Sequence, residues 1–289
     1  MLLKTWESVD KMVRKDVIKC GQFGGKPTER ANCEIVVENI NVVNATVPDL
    51  VQKYNSEILN GIHERSLIIG EGNCEIDRQI ERAIQMMMPF ETSLVTLNVS
   101  FEGTNDHVII KFEISLNEMQ PHKPIWEWTP EEKYLIASEY KEIGVQLFKD
   151  SRYIDAFHRF SKACKILITL EPICDLELDE KLVIDINDLR LILYNNMAGC
   201  QLNRKNYEYT ISLCNKILEK ESYNVKALYR RGVAHGKLKD LEKAVDDLKN
   251  AIALEPHNVA VKEQFVAYNV KLQDANKKCD DMVRKMFKT

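Results

Sequence analysis

The sequence lacks the groupings that most catalytic chemistry needs. Its eight cysteines (20, 33, 74, 164, 174, 200, 214 and 279) stand singly, with no Cys-x-x-Cys pair and no Cys/His cluster at zinc spacing. A structural zinc site or a redox dithiol requires such pairing, so neither is expected. The six histidines (63, 107, 122, 158, 235 and 257) show no triad or metal spacing, and no nucleophile sits in pattern with a base. No apolar run approaches the roughly 20 residues that span a bilayer, so no membrane role is expected. The opening MLLKTWESVD has no apolar h-region, which argues against a secretory signal. Scattered thiols without a leader fit reduced cysteines in the cytoplasm, with the nucleus as a second compartment. A basic excess is missing too. Residues 1–120 hold 12 Lys+Arg against 18 Asp+Glu, a net of −6, and the remainder holds 28 against 26. That balance argues against nucleic acid as a partner.

What is present divides at about residue 120, and 289 residues suit two domains. In the front half two stretches alternate with period two. Val95, Leu97, Val99 and Phe101 oppose Thr96, Asn98, Ser100 and Glu102. Val108, Ile110, Phe112, Ile114 and Leu116 oppose Lys111, Glu113 and Ser115. The intervening GTND (103–106) is turn chemistry, so the pair reads as an antiparallel hairpin with one solvated face. Met12–Cys20, Cys33–Asn44 and Ser66–Ile69 are further strand candidates. Ile76, Ile80, Ala83, Ile84 and Met87 form one helical stripe. An antiparallel sheet wrapped on one helix is an α+β domain. The Met86–Met88 run reads as core filling under a helix end rather than as a partner groove.

Pro121-His122-Lys123-Pro124 begins a linker (121–129), and a helix start follows it. Thr129 is placed to N-cap, Pro130 suits the first helical position, and Glu132 completes a capping box. Beyond it, residues 130–289 read as helical and repetitive. Gly144, Ala198 and Gly232 mark the small-residue position where paired helices touch. The 198–232 step is 34 residues, the tetratricopeptide (TPR) period, and the 144–198 step is 54, leaving 20 for an acidic insert around Glu171–Asp185. Tyr140, Leu147, Ala156, Phe160 and Ala163 fit the first repeat, and Ala244, Leu248, Ala251 and Pro256 the third. The middle repeat carries Gln201 and Thr210 at normally apolar or small positions. Three stacked repeats need a cover for the last, and Asn258–Phe287 is the helix for it.

Ser66–Met88, reading SLIIGEGNCEIDRQIERAIQMMM, resembles the strand, turn and helix of FKBP-type prolyl isomerase domains. Joined to the TPR pattern and to Trp126-Glu127 in the linker, it makes the whole chain similar to the FKBP-type immunophilins. The resemblance implies an aromatic pocket for an X-Pro bond, and there the sequence departs from it. Gln79 stands where active members carry the pocket-floor Trp. Val36-Val37-Glu38-Asn39 replaces a Tyr-Thr-Gly run, and a pocket loop shrinks to about GTND. Twisting an imide needs a dry apolar cavity, so the expectation is a domain without isomerase activity, not an enzyme.

The same resemblance implies a carboxylate clamp for the acidic C-terminal tail of the ninety-kilodalton heat-shock chaperone. Position by position, the clamp falls on Lys141, Asn196, Lys226 and Arg230, while its fifth position, an Asn, is Val145 here. Lys226 and Arg230 lie one turn apart on one helix face. A terminal carboxylate needs several donors together, and Arg supplies a fork that takes both oxygens. Losing one hydrogen bond to a charged group costs about 1.5–3 kcal/mol, so the tail is expected to bind less tightly than to a complete clamp. The neighbouring Arg231 reads as a solvated surface charge. The basic last helix, with Lys271, Lys277, Lys278, Arg284, Lys285 and Lys288 and the ending MVRKMFK, resembles the immunophilin helix linked with calmodulin. Within the inactive insect branch of the family, the resemblance further implies a client kinase, the circadian casein-kinase relative Doubletime. No metal or cofactor is expected. The working expectation is a non-catalytic cochaperone adaptor. A residual prolyl isomerase and a chaperone-independent kinase scaffold are the alternatives the sequence leaves open.

Overall fold

The computed structural model describes residues 4–101 and 107–286. It divides into two compact units, residues 1–128 and 129–289. The first unit is a six-stranded antiparallel sheet in the order β1-β2-β5-β6-β3-β4. Its strands are β1 (Thr5–Glu7), β2 (Val13–Lys19), β3 (Asn32–Val43), β4 (Glu64–Ile68), β5 (Thr92–Ser100) and β6 (His107–Gln120).

The alternation seen in the sequence sets the register of the central hairpin: Val95 pairs with Phe112, Leu97 with Ile110 and Val99 with Val108. All six of these side chains are fully buried. The GTND turn lies outside the described residues. Helix α2 (Glu75–Ile84) lies on β2 and β5. Its stripe residues Ile76, Ile80, Ala83 and Ile84, with Met87 just beyond, are fully buried. Burial of each larger one contributes about 1.5–3 kcal/mol. Two elements escape the sequence patterns. Strand β1 has three residues, too few to show alternation, and α1 (Val47–Gln52) is a turn and a half. Helix α1 is set by local chemistry, with Pro48 in its first turn and the Asp49 carboxylate accepting the Thr46 N–H at 2.8 Å.

One buried carboxylate ties the sheet's cover together. Asp77 accepts from Ser56 Oγ at 2.6 Å and from the Glu57 N–H at 2.8 Å, fixing the loop after α1 to the start of α2. Burial pushes its pKa up, and those hydrogen bonds oppose the rise. The expected linker does not swing free of this unit. The Trp128 indole is buried and donates to Lys123 O at 2.7 Å, and Thr28 Oγ1 donates to His122 O at 2.7 Å.

The second unit is three antiparallel helix pairs and a cover: α3 (Pro130–Lys149) with α4 (Tyr153–Ile168), α5 (Glu180–Asn203) with α6 (Tyr207–Leu218), α7 (Val225–Lys237) with α8 (Leu241–Leu254), then α9 (Val259–Met286). Helix α3 starts on the capping box expected of it, with the Glu132 carboxylate accepting the Thr129 N–H at 2.8 Å. Two of the small-residue positions, Gly144 and Gly232, mark close approaches within helix pairs. A Cβ on Gly144 would meet the Phe160 ring at 2.6 Å, and one on Gly232 would meet Leu248 at 3.0 Å. The 20 surplus residues are only partly loop. They form a short 3-10 turn, Ile173–Leu176, and lengthen α5 to 24 residues against 13 for α7. The polar residues of the middle repeat are buried yet bonded. Thr210 Oγ1 donates to Asn206 O at 2.8 Å, and Gln201 Oε1 accepts from Arg204 at 3.4 Å.

Helix α9 closes the stack through Val261 and Tyr268, the latter lodged over Gly236 of α7. Beyond Leu272 its described residues are all exposed; Phe287 and Lys288 lie outside the described residues. No described helix is long and apolar enough to cross a membrane.

Candidate peptide-binding site

The first helices of successive pairs pack side by side, α3 on α5 and α5 on α7. Between α5 and α7 lies a groove of about 670 Å³. Asn196 of α5 and Lys226 and Arg230 of α7 line it together. Helix α7 gets its phase from Asn224, whose Oδ1 caps it by accepting the Ala227 N–H at 3.0 Å. With the start fixed there, Lys226 falls at the exposed mouth and Arg230 one turn deeper. The fourth expected residue, Lys141, is not in this lining. It lies on α3, half-buried, with its ammonium 2.6 Å from the Glu142 carboxylate. Val145, one turn on, adds no polar group.

The three residues differ in freedom. Among the described residues neither Asn196 nor Lys226 makes a side-chain hydrogen bond or ion pair, so both are ready for a ligand. Arg230 is engaged. Its Nη1 donates to Asn195 O at 2.6 Å and to Asn195 Oδ1 at 3.1 Å. The guanidinium lies on Gly199, where an added Cβ would come within 3.1 Å of Nη2. Gly199 therefore leaves the room in which the fork lies flat against α5. Burial pushes the Arg230 pKa down from the usual arginine value.

Several lining residues had no part in the sequence reading. Asn195 holds Arg230, and Asn224 Nδ2 donates to Glu221 at 2.8 Å. Ile192 and Tyr223 offer exposed apolar surface on the same groove. The Asn195-Asn196 doublet and the Asn before α7 were the available signals, and the N-cap rule alone would have found Asn224. Glu221 and Glu255 also line the groove, so it is mixed in charge rather than a plain cationic stripe. Arg231 corrects an expectation. It is no solvated charge but a bridge, donating to Asp247 at 2.8 and 2.7 Å and to Asn215 Oδ1 at 2.8 Å, which joins α7 to α8 and α6.

In the first unit Gln79 is buried at the place where the resemblance puts a pocket-floor Trp. Its amide donates to Glu75 Oε1 at 2.6 Å and its oxygen accepts from Arg82 at 2.9 Å, while Arg82 also reaches Asp10 at 2.7 Å. A chain of polar groups thus runs along this face of α2. No group of three or more potential metal ligands occurs among the described residues.

Comparison with known proteins agrees with this division. Residues 6–121 match the family described as BDBT FKBP-like N-terminal, residues 129–212 match the Bride of doubletime-like TPR domain, and residues 225–258 match a tetratricopeptide repeat. Human peptidyl-prolyl cis-trans isomerase FKBP4 is 31% identical over 255 residues, covering 85% of this chain and 51% of that protein. Human FK506-binding protein-like is 35% identical over 164 residues, covering 56% of this chain and 43% of that protein. The chain thus spans about half the length of the curated relatives it matches. Among solved structures, residues 1–211 of CG17282 superpose with a TM-score of 0.59 at 26% identity, covering 72% of this chain and 97% of that one.

Proposed function

We propose that this chain, whose residues 6–121 match the BDBT FKBP-like N-terminal family and whose residues 129–212 match the Bride of doubletime-like TPR domain, is a non-catalytic cochaperone adaptor. Its helical groove takes the acidic C-terminal tail of the ninety-kilodalton heat-shock chaperone, and its other surfaces hold a client kinase of the Doubletime type. The carrying observation is the meeting of Asn196, Lys226 and Arg230 in one groove from helices about 30 residues apart in sequence. Lys226 contributes a mobile ammonium at the mouth, Asn196 an amide, and Arg230 the donors that Asn195 leaves unused. Lys141 serves a residue further up the peptide, once it leaves Glu142. Linking a tail-binding groove to a second module raises the local concentration of client at the chaperone without chemistry.

The absence of isomerase activity rests on Gln79. A buried amide bonded to Glu75 and Arg82 puts a polar, charged run where twisting an imide requires an apolar floor. A proline-peptide isomerisation assay decides this: a rate above the uncatalysed one restores the enzyme reading. The exposed far part of α9, with Val270, Met282 and Met286 beside Lys277, Lys278 and Lys285, supports calmodulin as a further partner. For the groove, the test is calorimetric titration with Met-Glu-Glu-Val-Asp as free acid and as C-terminal amide. The adaptor reading expects about micromolar binding of the acid and at least about tenfold loss on amidation. Equal affinities would instead favour a groove that reads internal peptides, the kinase-scaffold reading.

A further inference from the structure

We propose that the FKBP-like domain carries a second, separate site: a cavity beside β1 that takes an acidic segment of a partner protein, with one bulky apolar side chain inserted. The site follows from the pleat. Trp6 pairs opposite Lys15, so Lys4, Trp6, Lys15 and Val17 share one sheet face. Val13 and Val17 show that this is the core face. Helix α2 covers β2 and β5, but β1 lies one strand further out. The chain after α2 closes that space incompletely, leaving a cavity of about 310 Å³. Trp6, Val17, Met86 and Met88 form its apolar wall. The methionine run therefore divides: Met87 fills the core as expected, whereas Met86 and Met88 face the cavity, contrary to the sequence reading.

The polar groups of the wall define the occupant. Lys15 is 4% exposed, and its ammonium donates to Glu91 Oε1 and, at 2.8 Å, to Met86 O. An ammonium has three N–H donors, and the third has no acceptor among the described residues. Glu91 is itself engaged on both oxygens, Oε1 taking Ser93 Oγ at 2.7 Å besides Lys15 and Oε2 taking the Met88 N–H at 3.0 Å. The deep donor thus sits in a neutralised pair and suits an uncharged acceptor, such as a peptide carbonyl; a carboxylate there would face Glu91. Lys4 and Lys26 line the same cavity, are exposed, and make no ion pair among the described residues. They stand in a half of the chain whose net charge is −6, so general basicity does not account for them.

A buried N–H donor for a peptide carbonyl, an apolar wall and two rim cations match an acidic–apolar–acidic segment. The thioethers adapt to a Leu, Met or Phe side chain. Phe23 and Phe90 follow the lining residues Gly21 and Met88 by two positions each. Both are exposed, on loops joined by the Gln22 N–H to Pro89 O bond at 2.8 Å.

The probe is fluorescein-labelled Asp-Glu-Leu-Glu-Asp with an amidated C-terminus, titrated into the full chain by fluorescence anisotropy at low salt. The site predicts saturable binding below about 1 mM. Lys4→Glu with Lys26→Glu weakens it at least about tenfold, as does Met88→Trp, which fills the cavity; replacing the peptide's Leu by Ser does the same. Lys226→Ala leaves it unchanged, which separates this site from the helical groove. Variants count when their thermal melts match the unaltered protein, with Met86→Trp in place of Met88→Trp otherwise. Absence of saturable binding overturns the proposal. So does binding that follows the rim charges while ignoring both the tryptophan and the Leu-to-Ser change, and so does binding lost on Lys226→Ala.

Discussion

Replacing Arg230 by alanine separates two roles that one side chain holds in this fold. The guanidinium lines the groove, where the proposed function makes it a donor to the tail, and it is also a strut between α7 and α5, through two hydrogen bonds to Asn195 at 2.6 and 3.1 Å. Hydrogen bonds from a charged donor contribute about 1.5–3 kcal/mol each. Truncation strands Asn195 Oδ1 in a residue only 8% exposed and removes packing over Gly199. It also relieves the cost of keeping a cation buried, which offsets part of the loss. The balance is a destabilisation of about 2–3 kcal/mol in the helical unit. For a unit of this size that corresponds to a melting point lower by about 4–12 °C. Lys226→Ala removes an exposed side chain that has no partner among the described residues, so it should change stability by less than about 0.5 kcal/mol. Urea unfolding followed by far-UV circular dichroism reads both. An Arg230→Ala midpoint equal to that of Lys226→Ala would refute the strut, and with it the account of why Asn195 and Gly199 flank the groove.

Three other outcomes follow from particular contacts. Asp10 is held down to about 2 from 3.8, first by its hydrogen bond to Arg82 and then by Ser8. Its folded pKa lies below the unfolded one, so its contribution is complete above pH 3.8 and is lost as the pH falls through about 2. Carboxyl NMR titration should show that low midpoint and its return upward in Arg82→Ala, whereas an unshifted Asp10 in the unaltered chain would contradict it. Cys20, Cys174 and Cys279 are exposed and the other five cysteines are buried, with Cys33, Cys200 and Cys214 pushed up to about 12 by burial. An aromatic disulfide reagent should therefore find three fast thiols in the native protein and all eight in denaturant. Gly236→Ala would set a Cβ 2.3 Å from the Tyr268 ring, overpacking the α7–α9 contact by about 1–3 kcal/mol. Limited proteolysis should then cut α9 faster than in the unaltered chain; unchanged cleavage would mean that Tyr268 is not what holds it.

The chain announces its architecture because its regular elements are long enough to show a period. Five alternating apolar residues on β6 and five stripe positions at α2 suffice to set the register and the buried face. Fixed spacing does the same for the repeats, where Gly144 and Gly232 mark positions at which backbones and rings come too close for a side chain. Strand β1 and helix α1 stay hidden, being too short for a period to repeat. The family resemblance points to Lys141, Asn196, Lys226 and Arg230, of which the last three line one groove, but what each side chain does there depends on its neighbours. Nothing in the order of residues says that Asn195 will occupy part of the Arg230 fork. Nor does it say that Lys141 will turn to Glu142, or that Arg231 will find Asp247 sixteen residues on. The cavity by β1 was illegible for a related reason. It arises where a helix fails to reach an edge strand, which is a fact of packing and not of pattern.

In the proposed function, Lys226 touches the terminal carboxylate of a bound acidic tail. A double cycle measures that contact: unaltered chain and Lys226→Ala, each titrated with Met-Glu-Glu-Val-Asp as free acid and as amide. If ammonium and carboxylate meet in the groove, the two changes are not additive, and the coupling is about 1 kcal/mol or more at low salt. Strictly additive losses, or full affinity for the amide in both proteins, would place the carboxylate elsewhere and contradict the account.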